Sequence, residues 1–492
     1  MVKDTTLTEL STIMEFRTGE AGNAFYKISS WPETGKVESV EAMLQSGQGL
    51  STYVGYGIGL DGSLALCFKD KDSGAPATYT DTYLVSIKAL GKTFNSVVTV
   101  NCKAFARGEL PKIYIKTNDG STPRDKENWV PGTIRISGGT NFNDLIETPM
   151  HIRLRGNLTI TYEKKPYAIK MASRTGLLGM PSHKRWCLLA NYGDPTLLRN
   201  RMAFYISRST GIRYTTRSES ADLYFNDEFM GNYLLTEQIK VDAHRLDIPE
   251  NGSYLLELDG YGHKTSDPEY DPDNKFAFES SQSMPVNIKF PEDTNKIAEI
   301  KQYFNDTENA LIENTTSSIE RYVDVDSFLN FWLVYEVMNN MEVNSPKSFY
   351  CYKPVGDRLY AGPVWDFDYF VLASGNSMNP VHLWAMAKWG NTFRPMHYLL
   401  KNPDINKRAR SKIMQMYPFL GTIRSWIDKE AAYIHDAAKQ DEAKWGIHLN
   451  NNHILFKKMN FEDAVSEMKD VFDGRLQMLE ESAAKQPIDT NH

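Results

Sequence analysis

Apolar and polar positions alternate with a period of two through much of the first hundred residues. The clearest stretch is Val97 to Phe105, with Val98, Val100, Cys102 and Ala104 on one face and Thr99, Asn101 and Lys103 on the other. That spacing predicts a half-buried strand. Tyr83 to Lys88 and Leu64 to Lys69 repeat it, and Gly55, Gly57, Gly59 and Gly62 are expected at a bend or turn between strands. Residues 1–107 therefore read as a β-sandwich-like (Ig-like) module. The alternation breaks at Ala106 to Pro111, where a domain boundary is expected. Strand patterns resume from Leu110 to about Tyr167, as in Ile113-Tyr114-Ile115 and Thr133 to Ile136. Asp194-Pro195 predicts a helix start, followed by Leu198, Met202, Tyr205 and Ser209 at helical spacing. Ala221 to Phe225 and Gly231 to Leu235 flank Asn226-Asp227-Glu228 as a hairpin. Beyond residue 295 helices are expected to take over, including Asp326 to Asn339 and nearly everything from Phe393 to Ala484. The fold class is α+β. Its second domain, residues 108–485, has a strand-rich part at about 108–240 and a helix-rich part at about 241–485.

At 492 residues the chain has room for two or three such domains, and 41% apolar with 24% charged residues is an ordinary globular composition. There is no internal repeat and no low-complexity tract. A net charge of −7 argues against chain-wide affinity for nucleic acid, while leaving room for a local basic groove. The most apolar run, Phe328 to Met338, is interrupted by Asn330 and Glu336 and is too short to span a bilayer. No transmembrane segment is expected. Met1 to Ser11 has no basic stretch leading into an apolar run. Either the chain is not exported by that route or its signal has been removed, as an extracellular or coat-surface location would require. Cys67, Cys102, Cys187 and Cys351 stand far apart with no CxxC pair, which disfavours structural zinc. They read as buried thiols, with a Cys67–Cys102 bridge as the alternative.

Two sets of residues carry candidate chemistry. Lys170 ends the stretch Lys165-Pro166-Tyr167-Ala168-Ile169-Lys170, and Glu237 closes the apolar strand Leu234-Leu235-Thr236. Such a lysine and carboxylate can form the ion pair that positions nucleotide phosphates, or Lys170 can simply stand at a sheet edge in water. The second set is Gly362 to Tyr369, where Asp366 and Asp368 lie two apart among aromatic residues and would project to one side. Two such carboxylates suit Mg²⁺ bound together with substrate phosphates. Upstream, Asn339-Asn340-Met341-Glu342 ends a helix, either as catalytic machinery or as ordinary Asn capping. Ser266 to Asn274 is acidic and turn-rich, and reads as a solvated loop rather than a calcium loop.

Seven ordered blocks resemble one family. They are Arg153-Leu154-Arg155-Gly156-Asn157, Lys164 to Lys170, Leu188 to Tyr192 running into Leu198-Arg199-Asn200, Tyr233 to Gln238, Gly252 to Asp259, Asn340-Met341-Glu342, and Gly362 to Asp368. Together they resemble the spore coat protein H (CotH) kinase-like proteins over roughly Leu110 to Ser482. The resemblance implies an atypical protein-kinase-like domain that uses ATP with Mg²⁺ or Mn²⁺ on a protein substrate. It implies Lys170 and Glu237 as the phosphate-positioning pair, Arg155 and Asn157 near the cofactor, and Asp366 and Asp368 as metal ligands. Glu342 stands where the family usually carries the presumed catalytic Asp. Two further departures are Leu158-Thr159-Ile160 in the usual RGNSTW block, and Tyr369-Phe370-Val371 without the usual following Gly.

The leading reading is therefore transfer of the ATP γ-phosphate to a protein hydroxyl. The alternative is a non-catalytic surface, coat or assembly protein on a degenerate CotH fold, with the N-terminal module binding a protein or surface partner. A carboxylate-pair glycosidase also fits the acidic and aromatic content, but nothing in the spacing specifies the opposed carboxyl groups that chemistry needs.

Overall fold

The computed structural model describes residues 11–26, 37–60, 62–72, 74–89, 91–259, 275–340, 346–368, 371–372, 395–446 and 459–484. Glu342 and the acidic stretch 266–274 lie outside these residues.

Seven strands come first: β1 (Ser11–Arg17), β2 (Ala21–Tyr26), β3 (Val37–Ser46), β4 (Ser51–Ile58), β5 (Leu64–Asp70), β6 (Tyr79–Ala89) and β7 (Lys92–Lys103). They form a four-stranded sheet ordered β1-β7-β6-β3 and a three-stranded sheet ordered β2-β5-β4. Both sheets contribute to a single apolar cluster, including Phe16, Leu66, Phe68, Val85, Val98 and Val100. The period-two reading of β7 is met, since Val98, Val100 and Cys102 are all buried. Gly55 and Gly57 are not at a turn between strands; both lie within β4. A Cβ on Gly57 would sit 2.3 Å from the carbonyl oxygen of Gln415, so the glycine lets a helix backbone lie directly on the strand. All four cysteines are free and buried.

The next strands are β8 (Lys112–Thr117), β9 (Val130–Ser137), β10 (Leu145–Leu154), β11 (Tyr167–Thr175), β12 (His183–Leu189), β13 (Ser218–Phe225) and β14 (Glu228–Glu237). They close into a barrel in the order β10-β11-β12-β14-β13-β8-β9, filled by Ile113, Ile134, Ile152, Ile169, Trp186, Leu188 and Leu235 among others. The β13–β14 hairpin turns at Asn226 and Asp227, both with positive φ, a conformation that Asn and Asp tolerate best after Gly.

Helix α1 (Arg199–Arg208) begins later than Asp194-Pro195 suggests. Asp194 does act as a cap, accepting from the Thr196 amide at 2.9 Å and the Arg199 amide at 2.9 Å, but it caps the turn that precedes the helix.

A second sheet, ordered β16-β17-β15-β18-β19, follows: β15 (Tyr254–Leu258), β16 (Ala277–Glu279), β17 (Pro285–Phe290), β18 (Phe349–Lys353) and β19 (Tyr360–Ala361). Strands thus persist past residue 295. The helices are α2 (Ile297–Glu313), α3 (Thr316–Tyr322), α4 (Val325–Met338), α5 (Pro395–Lys401), α6 (Pro403–Leu420), α7 (Ile423–Trp445) and α8 (Phe461–Ala484). α4 starts at an Asp324 cap, which accepts from Ser327 N, and stops at Asn339 with φ 52°. The α+β class stands. Among the described residues no helix is long and apolar enough to cross a membrane.

Charged side chains tie these parts together. Arg17 of β1 pairs with Glu219, Glu219 with Arg201, Arg201 with Glu430 of α7, and Glu430 with Arg107. Lys164 is fully buried and donates to Asp441 of α7 at 2.6 Å and to the Asn232 carbonyl at 2.6 Å. An ammonium in that position is tolerated because both acceptors replace its water.

Candidate active site

The loop that follows β19 is anchored by its apolar members. Val364, Trp365 and Phe367 are buried, and the Tyr335 hydroxyl donates to the Trp365 carbonyl at 3.0 Å. Asp366 and Asp368 interleave with these anchors and are only partly buried. Asp366 takes a φ of 70°, which turns the chain sharply between two buried aromatic residues. Its position is fixed from several directions. Asn340 Nδ2 donates to the Asp366 carbonyl at 2.8 Å, and Ser348 Oγ to Asp366 Oδ2 at 3.2 Å. Asn200 Oδ1 accepts from the Phe367 amide at 2.8 Å, and Arg199 Nε donates to the Val371 carbonyl at 2.6 Å.

The two carboxyl groups lie close enough to act on one another. Burial, reinforced by the Asp366 charge, pushes the Asp368 carboxyl well above the usual carboxylate range, with Arg155 pulling the other way. Crowded acidic oxygens of this kind fit a divalent cation, which would remove their mutual repulsion. Among the described residues, however, no group of three or more His, Cys, Asp or Glu side chains is arranged to hold a metal. A cation here would complete its shell with water or ligand oxygens.

Arg155 follows β10 and lies over the Trp365 ring at 5.4 Å. Its charge also reaches Glu257 of β15, whose Oε2 accepts from Lys289 Nζ of β17 at 2.8 Å. Burial works against ionisation of Glu257, yet Lys289, the Tyr350 hydroxyl and Arg155 together hold its carboxyl below the ordinary range. Asn157, on the same turn as Arg155, is exposed and accepts from Lys126 Nζ at 3.0 Å.

The structure does not join Lys170 to Glu237. On β11, Ile169 and Met171 fill the barrel, so Lys170 points outward and is exposed, opposite His151 and Arg185 in the neighbouring strands. On β14, Tyr233 and Leu235 point inward, and Glu237 continues that face beside Trp186. Its carboxylate is taken by Arg217 at 3.0 Å, by the Tyr214 hydroxyl at 2.9 Å, and by Arg245, which covers the Trp186 ring. The expected pair therefore sits on opposite faces of the barrel wall. Glu257 carries the same sequence signal as Glu237, a carboxylate within the apolar run Leu255 to Leu258.

The carboxylate pair is anchored on its loop, and Arg155 lies over the neighbouring Trp365 ring. The family profile described as "CotH kinase protein" matches residues 152–479, and the chain belongs to this CotH family. The match begins within β10, so the N-terminal sheets and the strands β8 and β9 precede it. No curated protein matches the chain.

Proposed function

We propose that the chain is a CotH-type phosphotransferase that moves the γ-phosphate of ATP to a protein hydroxyl with Mg²⁺ or Mn²⁺. The observation that supports this reading is the closeness of Asp366 and Asp368 on a loop held by Asn200, Asn340 and Arg199, with Arg155 facing it. Asp366 and Asp368 would hold the metal, which when bound would neutralise charge on the phosphate oxygens. Arg155 would take a phosphate oxygen, with Asn157 two residues along the same turn. Glu342 would orient the acceptor hydroxyl and receive its proton. In this reading residues 108–240 and 241–485 act as the two lobes around the site. The two sheets of β1 to β7 would form the sandwich-like (Ig-like) module.

The test is incubation with γ-labelled ATP and Mg²⁺ or Mn²⁺, reading self-phosphorylation and transfer to generic proteins. Glu342→Gln is expected to stop transfer and spare ATP binding measured by calorimetry, because an amide cannot accept the proton. Undiminished transfer in this variant would remove Glu342 from the chemistry. ATP binding with no transfer by the wild-type chain would favour the non-catalytic reading instead.

A further inference from the structure

We propose that Tyr205 is a positioning residue for the Asp366–Asp368 loop, and that the N-terminal sheets act on the site through it. The link is α1, one side of which meets the loop while the next meets the sheets. Asn200 and Phe204, four residues apart, share the first side. Asn200 accepts from the Phe367 amide at 2.8 Å, and the Phe204 ring centre lies 6.0 Å from that of Trp365, the residue before Asp366. Arg201, Tyr205 and Ser209 recur at the same spacing on the second side. The Tyr205 hydroxyl accepts from the Ala21 amide at 2.7 Å and donates to the Ala21 carbonyl at 3.0 Å, at the first residue of β2. The Ser209 carbonyl accepts from Asn23 Nδ2, also on β2, at 3.4 Å. Arg201 pairs with Glu219 at 3.1 Å, and Glu219 with Arg17 of β1.

The sequence of α1 does little to hold the helix in place. It has 10 residues, whereas an isolated helix shorter than about 12–15 is marginal in water. Leu198 at its start offers no side-chain cap, and Arg199 to Ser207 are all buried, so the helix is located by what it packs against. Tyr205 makes the most directional of these contacts on the N-terminal side. Its ring is stacked on Trp426 of α7, with centres 4.8 Å apart and planes 6° from parallel, and lies 5.6 Å from Phe419 of α6. That packing fixes where the hydroxyl points. β2 is an edge strand of its sheet, and the hydroxyl occupies the Ala21 amide and carbonyl as a neighbouring strand would. A shift of this edge is passed along α1 to Asn200, and from there to the Phe367 amide between the two carboxylates. What the carboxylates then bind rests on the nucleotide-dependent reading above; their placement by Tyr205 needs no ligand.

The test is hydrogen exchange and calorimetry on the full chain, comparing wild type with Tyr205→Phe and Asp72→Ala. Tyr205→Phe keeps the stacked ring and loses both hydrogen bonds to Ala21. Exchange in the segment that contains Phe367 should quicken by about tenfold, while exchange around Trp186 in β12 stays as it was. Mn²⁺-dependent binding of ATP should weaken by about fivefold or more, the lower end of coupling between linked sites. Asp72→Ala removes a contact that bypasses α1, the ion pair with Lys429 of α7 at 2.7 Å, and should leave both readings unchanged. Unchanged exchange at Phe367 in Tyr205→Phe, an equal quickening at Trp186, or an effect of Asp72→Ala as large as that of Tyr205→Phe would each overturn the assignment. Quickened exchange confined to the Phe367 segment, in a chain whose wild type binds no ATP, would uphold the positioning role and end the nucleotide reading.

Discussion

Asn200 Oδ1 accepts from the amide of Phe367 at 2.8 Å, so a side chain on the first turn of α1 holds the residue that lies between Asp366 and Asp368. The same amide group donates from Nδ2 to Asn191 Oδ1 at 3.0 Å, and all three residues are buried. Asn200→Ala is expected to leave two buried polar groups without partners and to cost about 1–3 kcal/mol of stability. Metal-dependent nucleotide binding should weaken as well, because the carboxylate pair loses its central anchor. Urea denaturation and calorimetry on the same sample check both effects; full stability in the variant would show that the loop does not depend on this contact.

Asp366→Asn is expected to abolish metal-dependent ATP binding and leave the fold intact. Asn tolerates the positive φ at this position nearly as well as Asp, and its amide oxygen can still accept from Ser348. What disappears is the charge that would face the cation. Calorimetry with ATP and Mg²⁺ reads the outcome, and an unchanged affinity would take Asp366 out of the site.

Glu430 joins α7 to α1 through Arg201 at 2.8 Å and to the segment between β7 and β8 through Arg107 at 2.9 Å. Burial opposes its charge, but the two arginines hold its carboxyl below the ordinary range. Glu430→Ala strands buried guanidinium charge and should cost about 3–5 kcal/mol. The denaturation midpoint measures this, and a shift worth less than about 1 kcal/mol would mean that water replaces the carboxylate easily.

His183 gives the fold an acid sensitivity. Its Nδ1 accepts from the Arg185 amide at 2.9 Å, and its Nε2 lies 3.8 Å from Asp242. Burial and then the Arg245 charge push its pKa down to about 4, against the opposing pull of Asp242. The unfolded chain therefore takes up a proton at this residue before the folded chain does. Stability should fall as pH drops from about 6.5 to about 4, by about 3 kcal/mol from this group, and the loss should level off below that. In His183→Gln this part of the pH dependence should vanish; identical pH profiles in the two proteins would show that His183 protonates freely while folded.

Much of this molecule was legible locally. The alternation in β7, the Asn226-Asp227 hairpin, the run of C-terminal helices and the Asp366/Asp368 spacing depend on residues close in sequence, where period and turn chemistry act directly. The seven motif blocks likewise carried the CotH family, which the match over residues 152–479 shows.

Other features depended on which face of an element met which neighbour, and no local pattern encodes that. Lys170 and Glu237 looked like partners, yet barrel closure sets one outward and the other inward, where Arg217 and Arg245 claim it. Gly57 reads as a turn glycine until α6 is seen lying on β4, where any side chain would meet the Gln415 carbonyl. Arg153 and Arg185 are far apart in sequence, and only the register of β10, β11 and β12 sets both on the Trp129 ring. The sequence by itself determined most of the elements, the family and the spacing of the acidic pair, because those follow from short-range spacing. The tertiary structure alone decided which charges face one another, because that depends on sheet closure and helix docking between distant segments.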